Sequence, residues 1–230
     1  MTAGTSRKRA FVIPTLLAAL ALLAAWGCSS KAKSNDAATD PAGDAKSVAS
    51  SNSGASQVDL LCIGDRINDP PEPFHYTYQY TAASGSVSKE ADITPQAMEI
   101  TIKDQSGTHS YHGTRADETS WGQAVLDLSN LNIAVLSGRL ALLKDSSAIT
   151  RHGQEAVNGY GTVKYAIDTT AANSSDQKKY ETLFGKGSYE NGSVWVPADG
   201  CAVKLVLDEG IARPDGNVEK VHYQIARIRK

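Results

Sequence analysis

Phe74-His75-Tyr76-Thr77-Tyr78-Gln79-Tyr80-Thr81 alternates aromatic and polar residues without a break. Successive side chains on a strand point to opposite faces, so Phe74, Tyr76, Tyr78 and Tyr80 share one face while His75, Thr77 and Gln79 share the other. The stretch reads as a half-buried strand. Immediately before it, Asp69-Pro70-Pro71-Glu72-Pro73 is a stiff connector, because each proline fixes its own φ. After it, Ser84-Gly85 marks a turn. Residues 97–103 then place Met98, Ile100 and Ile102 on one side of a further strand, and Gly107 turns the chain into another over 108–113.

The middle of the chain changes period. Trp121, Ala124, Val125, Leu128, Leu131 and Val135 recur at helical steps, and Ser120-Trp121-Gly122-Gln123 has capping-box spacing. Asn130 and Asn132 suggest a break, with a second helical piece over 133–144. That piece is apolar on more than one side and should pack inside something. Beyond Ser147 the strand pattern returns. Asn158-Gly159 between two extended runs, 149–157 and 162–167, is a strong hairpin signal. Residues 173–185 read as a short helix with Asn173 or Ser174 as its cap and Gly185 as its stop. Asn191-Gly192, Asp199-Gly200 and Asp215-Gly216 then look like turns around strands at 193–197, 201–208 and 218–228. The expected class is α+β: a largely antiparallel curved sheet, an incomplete barrel, with two or three helices packed against its concave face.

The amino-terminal region has a different character. Arg7-Lys8-Arg9 precedes an almost wholly apolar run over 11–25, closed by Ala24-Ala25-Trp26-Gly27-Cys28. Positive, apolar, then small is the order of a secretory signal. The run is too short for the roughly 20 residues that span a bilayer, and Pro14 interrupts it. The ending resembles a bacterial lipoprotein signal, with Gly27 before the acceptor Cys28 and Trp26 a bulky departure from the usual pattern. The resemblance implies a diacylglyceryl thioether on Cys28, with cleavage before it. Two or more acyl chains hold a protein stably on a membrane where one does not. An ordinary cleaved signal and an uncleaved anchor helix are the alternatives. Residues 29–57 are Ser, Ala, Lys, Asp and Gly with almost nothing apolar, a composition that cannot offset the entropy of ordering. The expected organisation is a signal peptide over 1–27, an acylated cysteine and flexible tether over 28–57, and a single antiparallel-sheet domain over 58–230. Such a tether reaches about 30 Å. By resemblance, Ser29 in place of Asp after the acceptor cysteine favours the outer membrane of a host that has one.

Formal charge is −2, from 23 basic and 25 acidic residues. Loss of the signal removes three basic residues and leaves a more acidic chain with no basic block, which argues against a nucleic-acid partner and against an extended polybasic face on anionic lipid. With Cys28 acylated, Cys62 and Cys201 remain. An even pair in an exported chain favours a disulfide, two separate buried thiols being the alternative.

Catalytic and cofactor signatures are weak throughout. Of the five histidines (His75, His109, His112, His152 and His222), only His109 and His112 are close. Three positions apart on a strand they point to opposite faces, which disfavours shared metal ligation. Cys62 and Cys201 have no zinc spacing. No Gly-x-Ser-x-Gly elbow occurs, and Gly159-Tyr160-Gly161 and Gly185-Lys186-Gly187-Ser188 lack the setting of a nucleotide loop. The expectation is a protein without catalysis, metal or cofactor.

Gly192-Ser193-Val194-Trp195-Val196, then Asp199-Gly200-Cys201-Ala202-Val203-Lys204-Leu205, then a strand through His222-Tyr223, resembles the end of the periplasmic lipoprotein-carrier fold. That superfamily includes the lipoprotein shuttle of Gram-negative bacteria and lipid-binding lipoproteins of mycobacteria. The resemblance implies a half-barrel wrapped over helices, with an apolar cavity for acyl chains. The candidate cavity wall is Phe74, Tyr76, Tyr78, Tyr80, Ile100, Ile102, Trp195, Val203 and Leu205. Tyrosine's apolar body and polar tip suit such a wall, though an aromatic row on a strand also serves as plain core. Three expectations remain open. The chain binds or carries an apolar or acylated ligand, or it is an accessory lipoprotein that docks a protein partner in the cell envelope, or it is a hydrolase of unrecognised type, which nothing in the residues requires.

Overall fold

The computed structural model describes residues 60–129, 131–143 and 145–230. The expected signal peptide, acylation of Cys28 and tether lie outside the described residues. In chain order the elements are α1 (Cys62–Asn68), β1 (Phe74–Ala82), β2 (Gly85–Ile93), β3 (Ala97–Asp104), β4 (Gly107–Thr114), α2 (Glu118–Leu128), α3 (Leu131–Leu143), β5 (Ile149–Val157), β6 (Tyr160–Asp168), α4 (Ser174–Phe184), β7 (Tyr189–Pro197), β8 (Lys204–Ala212) and β9 (Val218–Arg229). All nine strands join one antiparallel sheet in the order β4-β3-β2-β1-β9-β8-β7-β6-β5. The aromatic strand is β1, and it is where the two halves meet. Its partners are β2, from the first meander, and β9, the last strand of the chain. The sheet does not close: β4 and β5 are its two edges.

Register carries one apolar face from β4 to β6. Tyr78 opposes Ile225, which opposes Leu205, then Val194, then Tyr165. On the other side Tyr76 opposes Ala91, which opposes Ile100 and then Tyr111. The helices cover this face. α2 lies against β4, where the Tyr111 hydroxyl donates to the Asp127 carboxylate at 2.5 Å. Asn132 of α3 donates to the Tyr78 hydroxyl at 3.2 Å, and Tyr180 of α4 donates to Glu190 of β7. The path from β4 through α2 and α3 to β5 therefore leads from one sheet edge to the other.

Four helices are present among the described residues, one more than the upper expectation. The added one, α1, places Ile63 and Ile67 one turn apart in the core. β2 has no counterpart in the alternation pattern of the sequence. Its core positions include the small Ala91 and the charged Lys89, and Lys89 breaks the apolar alternation. Lys89 is buried because its amine donates to the Asp127 carbonyl and lies 5.8 Å from the Tyr78 ring centroid. α2 starts earlier than the capping-box spacing suggests: Asp117 is the cap, accepting from the Thr119 and Ser120 amides.

Asn158-Gly159 forms its hairpin with both residues at positive φ, as a two-residue turn requires. Asn191-Gly192, in contrast, is no turn. It sits inside β7, and a Cβ on Gly192 would lie 2.1 Å from the Val206 carbonyl oxygen. Glycine is there to let β8 approach, not to reverse the chain. Cys201 and Val203 likewise precede β8 instead of belonging to it, since pairing begins at Lys204.

Candidate docking face and the carboxylates beneath it

Cys62 and Cys201 are joined, with Cα atoms 5.6 Å apart across 139 positions of sequence. The bridge fastens α1 to the segment leading into β8. Arg66 reinforces it with an ion pair to Asp199 at 3.1 Å, and Arg115 and the Trp121 indole both donate to the Asn68 carbonyl at the helix end.

The nine candidate wall residues do not surround an open space. Phe74, Tyr76, Tyr78, Ile100 and Leu205 expose 0–2% of their surface and pack in the core under the helices. Tyr80 and Ile102 pack on the margin of the same core. Trp195 and Val203 lie elsewhere. They form a separate cluster with Tyr160, and strand alternation puts Trp195 on the opposite face from Val194 and Val196. There the Trp195 ring lies between the Lys164 and Lys204 amines, at 5.2 and 4.7 Å. A surface cleft of about 400 Å³ lies at the β5–β7 end, lined by residues that include Gln154, Val163, Tyr165 and Val196, and contains none of the nine. Five of the nine are thus packed core, two lie at its margin, and Trp195 and Val203 belong to a separate cluster.

The outward side of the helical layer is the unusual surface. In α3, Ile133, Leu136, Leu140 and Leu143 face the core. Among its described side chains the exposed residues are Ala134, Val135, Gly138, Ala141 and Leu142, all of them apolar. Val135 and Leu142 are each 48% exposed, and Leu126 of α2 is 70% exposed. The one charged residue in α3, Arg139, points the other way, into the sheet. This reverses the usual arrangement of a surface helix, which turns charge to water and apolar groups inward. Val135, Gly138 and Leu142 recur at helical steps on one side of α3, and a contiguous apolar strip outside the core marks an interaction site more often than scattered residues do. No single described helix is long and apolar enough to cross a membrane. α2 and α3 would suffice only together, and a bend of 50° separates them.

Arg139 explains how such a helix is held. Glu190 of β7 and Glu209 of β8 are direct cross-strand partners, and both are buried on the core face. The Arg139 guanidinium sits 3.1 Å from Glu209 Oε1 and 3.9 Å from Glu190 Oε1, with the Phe184 ring 4.9 Å away. The Tyr180 hydroxyl donates to Glu190 Oε1 at 2.8 Å, while Glu190 Oε2 has no hydrogen-bond partner. Tyr223 of β9 hydrogen-bonds Glu209. Burial pushes the Glu190 carboxyl up to about 7, against the opposing effect of the Tyr180 hydrogen bond. Burial also raises Glu209, with Arg139 opposing it. The Tyr180 hydroxyl is raised by burial first and by Glu190 second. Both carboxylates lie just outside the strands expected over 193–197 and 201–208; the signal that could have found Glu209 is that it continues the parity of Leu205 and Leu207.

On the sheet's other face, His75, Asp92, Glu99 and His112 form one cross-strand row. His75 pairs with Asp92 at 2.7 Å, and His112 pairs with Glu99. No group of three or more such side chains is placed to hold a metal ion among the described residues.

No protein-family model matches the chain, and no curated protein matches it. Among solved structures it is similar to MucB, at 12% identity and a TM-score of 0.31 over 76% of this chain and 58% of that one. It is also similar to MucB in complex with MucA(peri), at 13% identity and a TM-score of 0.30 over 73% and 54%. The chain thus spans little more than half the length of MucB. Likeness at this level carries no argument about function.

Proposed function

We propose that this chain is an extracytoplasmic accessory protein, held to a membrane through an acylated Cys28, that docks a protein partner on the outward face of α3. It performs no catalysis and needs no cofactor in that role. One observation carries the reading: Val135, Leu142 and Leu126 stand exposed on a helical layer whose inward side is already filled. The residues that the carrier reading needs as a cavity wall pack in the core, at its margin or in a separate cluster, which favours the apolar surface on the outside as the functional one. Export is supported by the signal pattern over 1–28 and by the Cys62–Cys201 bridge, since disulfides persist in oxidising compartments. In this reading residues 58–230 are the single folded domain and the preceding tether sets its distance from the bilayer.

Site-specific photo-crosslinking in intact cells tests it. A crosslinker at Leu142 of the full chain is expected to give one discrete protein adduct, lost on Leu126→Ser. The same probe at Thr101, on the opposite sheet face, is expected to give none. Lipid adducts alone at Leu142, or identical adducts from both positions, would overturn the reading.

A further inference from the structure

Two buried carboxylates face one guanidinium at the root of α3. If both carboxylates are ionised, the group carries an uncompensated negative charge away from water, which is strongly unfavourable. A single proton on the pair makes the group neutral. The unpartnered Glu190 Oε2 is where that proton fits, because Oε1 already accepts from Tyr180. The groups that face the pair come from four elements around it. α3 supplies Arg139 and α4 supplies Tyr180; β9 supplies Tyr223, and the segment after β6 supplies Thr169, whose hydroxyl accepts from the Glu190 amide at 2.8 Å. Arg139 is the sole positive charge among them. It is also the residue through which α3, the helix bearing the exposed face, is tied to the sheet by charge.

We propose that Glu190, Glu209 and Arg139 form a proton-operated latch that seats α3 and α4 when the carboxylate pair holds a proton and loosens them when that proton leaves. The inference rests on reading α3 as the docking helix, and it adds regulation to that site. The direction follows from charge. The protonated pair is neutral and compact with Arg139 and Tyr180 in place. Deprotonation leaves two anions and one cation, and water can stabilise the excess charge only if the helices lift. Because α3's outward residues move with its inward ones, the docking face is held in one position in mildly acidic surroundings and is released from it in alkaline ones.

Hydrogen–deuterium exchange on the full chain in detergent, between about pH 5 and about pH 8.5 and corrected for intrinsic exchange, tests the latch. The expected result is a roughly ten- to hundredfold loss of protection in α3 and α4 as pH rises through neutrality, with β1 and β9 unchanged. Glu190→Gln, which keeps the shape of the protonated acid, should remain protected throughout. Glu209→Gln, which leaves one carboxylate to one guanidinium, should move the response of the remaining pair to lower pH. Protection of α3 and α4 that does not vary with pH in the native chain, or an undiminished response in Glu190→Gln, would overturn the proposal. If a variant fails to fold, a carbon-13 titration of glutamate carboxyls in the native chain decides: a buried glutamate titrating near neutrality supports the latch, and one ionised throughout removes it. Loss of the pH response with the Leu142 adduct intact would end the latch alone. Loss of the adduct with the response intact would end the docking reading alone.

Discussion

Cys62 and Cys201 tie the first described helix to the segment that enters β8, with Cα atoms 5.6 Å apart. The bridge closes a loop of 139 positions, for which chain-entropy arguments set a ceiling of about 4–5 kcal/mol. α1 has other anchors, since Ile63 and Ile67 are buried and Arg66 pairs with Asp199. Replacing both cysteines with serine is therefore expected to cost about 2–4 kcal/mol without changing the sheet. Urea denaturation of the full chain, oxidised and reduced, measures it. Equal midpoints in the two states would show that the bridge contributes nothing to stability.

Leu140 and Leu142 lie two positions apart on α3 and should respond in opposite ways. Leu140 is 1% exposed in the core, whereas Leu142 is 48% exposed on the outward face. Leu140→Ala is expected to destabilise the fold by about 2–5 kcal/mol, the range for a buried leucine. Leu142→Ser should stay within about 0.5 kcal/mol of the native chain while removing the crosslinked adduct. Thermal melts beside the crosslinking yield separate the two effects. A large loss of stability in Leu142→Ser would mean that the residue supports the fold and not a partner.

Much of this architecture is legible in the chain because it rests on local rules. The alternation from Phe74 to Thr81 is visible residue by residue, and so is the Asn158-Gly159 turn. The short helix at 173–185 shows its own cap and stop, and both appear as read. What escaped is decided by distant neighbours. β2 carries Lys89 and Ala91 on its core face, and only Asp127 and Tyr78 make Lys89 acceptable there. Asn191-Gly192 has the composition of a turn, yet β8 passes so close that glycine is needed for another reason. α3 was legible as apolar on more than one side, which suggested that it packs inside something. Only the fold shows that one of those sides has no covering element among the described residues.

Stability should depend on pH from two directions. Glu190 is raised to about 7 in the fold, from about 4.5 unfolded, chiefly by burial. The folded state therefore holds a proton that the unfolded chain has released across that interval. This contribution is complete below about pH 4.5, declines as pH rises toward 7, and amounts to about 3 kcal/mol at most. Asp92 works in the opposite sense. Its hydrogen bonds to Lys230 and His75 hold it below the usual carboxylate range, so its contribution is lost as pH falls through that lowered value. Denaturation midpoints across pH should form a maximum on the acidic side of neutrality. Glu190→Gln should flatten the limb between about pH 5 and about pH 8 and leave the acid limb unchanged. A limb that persists unchanged in that variant would place the titrating group elsewhere.

Two glycines should separate packing from docking. At Gly192 a Cβ would meet the Val206 carbonyl at 2.1 Å and the Leu207 Cα at 2.9 Å, both backbone atoms. Gly192→Ala must therefore part β7 from β8 and is expected to cost roughly 2–4 kcal/mol, among the larger single-site losses. At Gly138, on the outward face of α3, an added Cβ meets nothing within 4 Å, and its φ is not positive. Gly138→Ala should therefore stabilise the chain by about 0.5–1 kcal/mol, the helix-propensity difference. Gly138→Leu should be tolerated by the fold but should fill the shallow strip between Val135 and Leu142. If a partner packs there, its adduct at Leu142 falls while the melting temperature holds. An adduct that survives Gly138→Leu at full yield would show that contact is confined to the larger side chains and does not reach the backbone of α3.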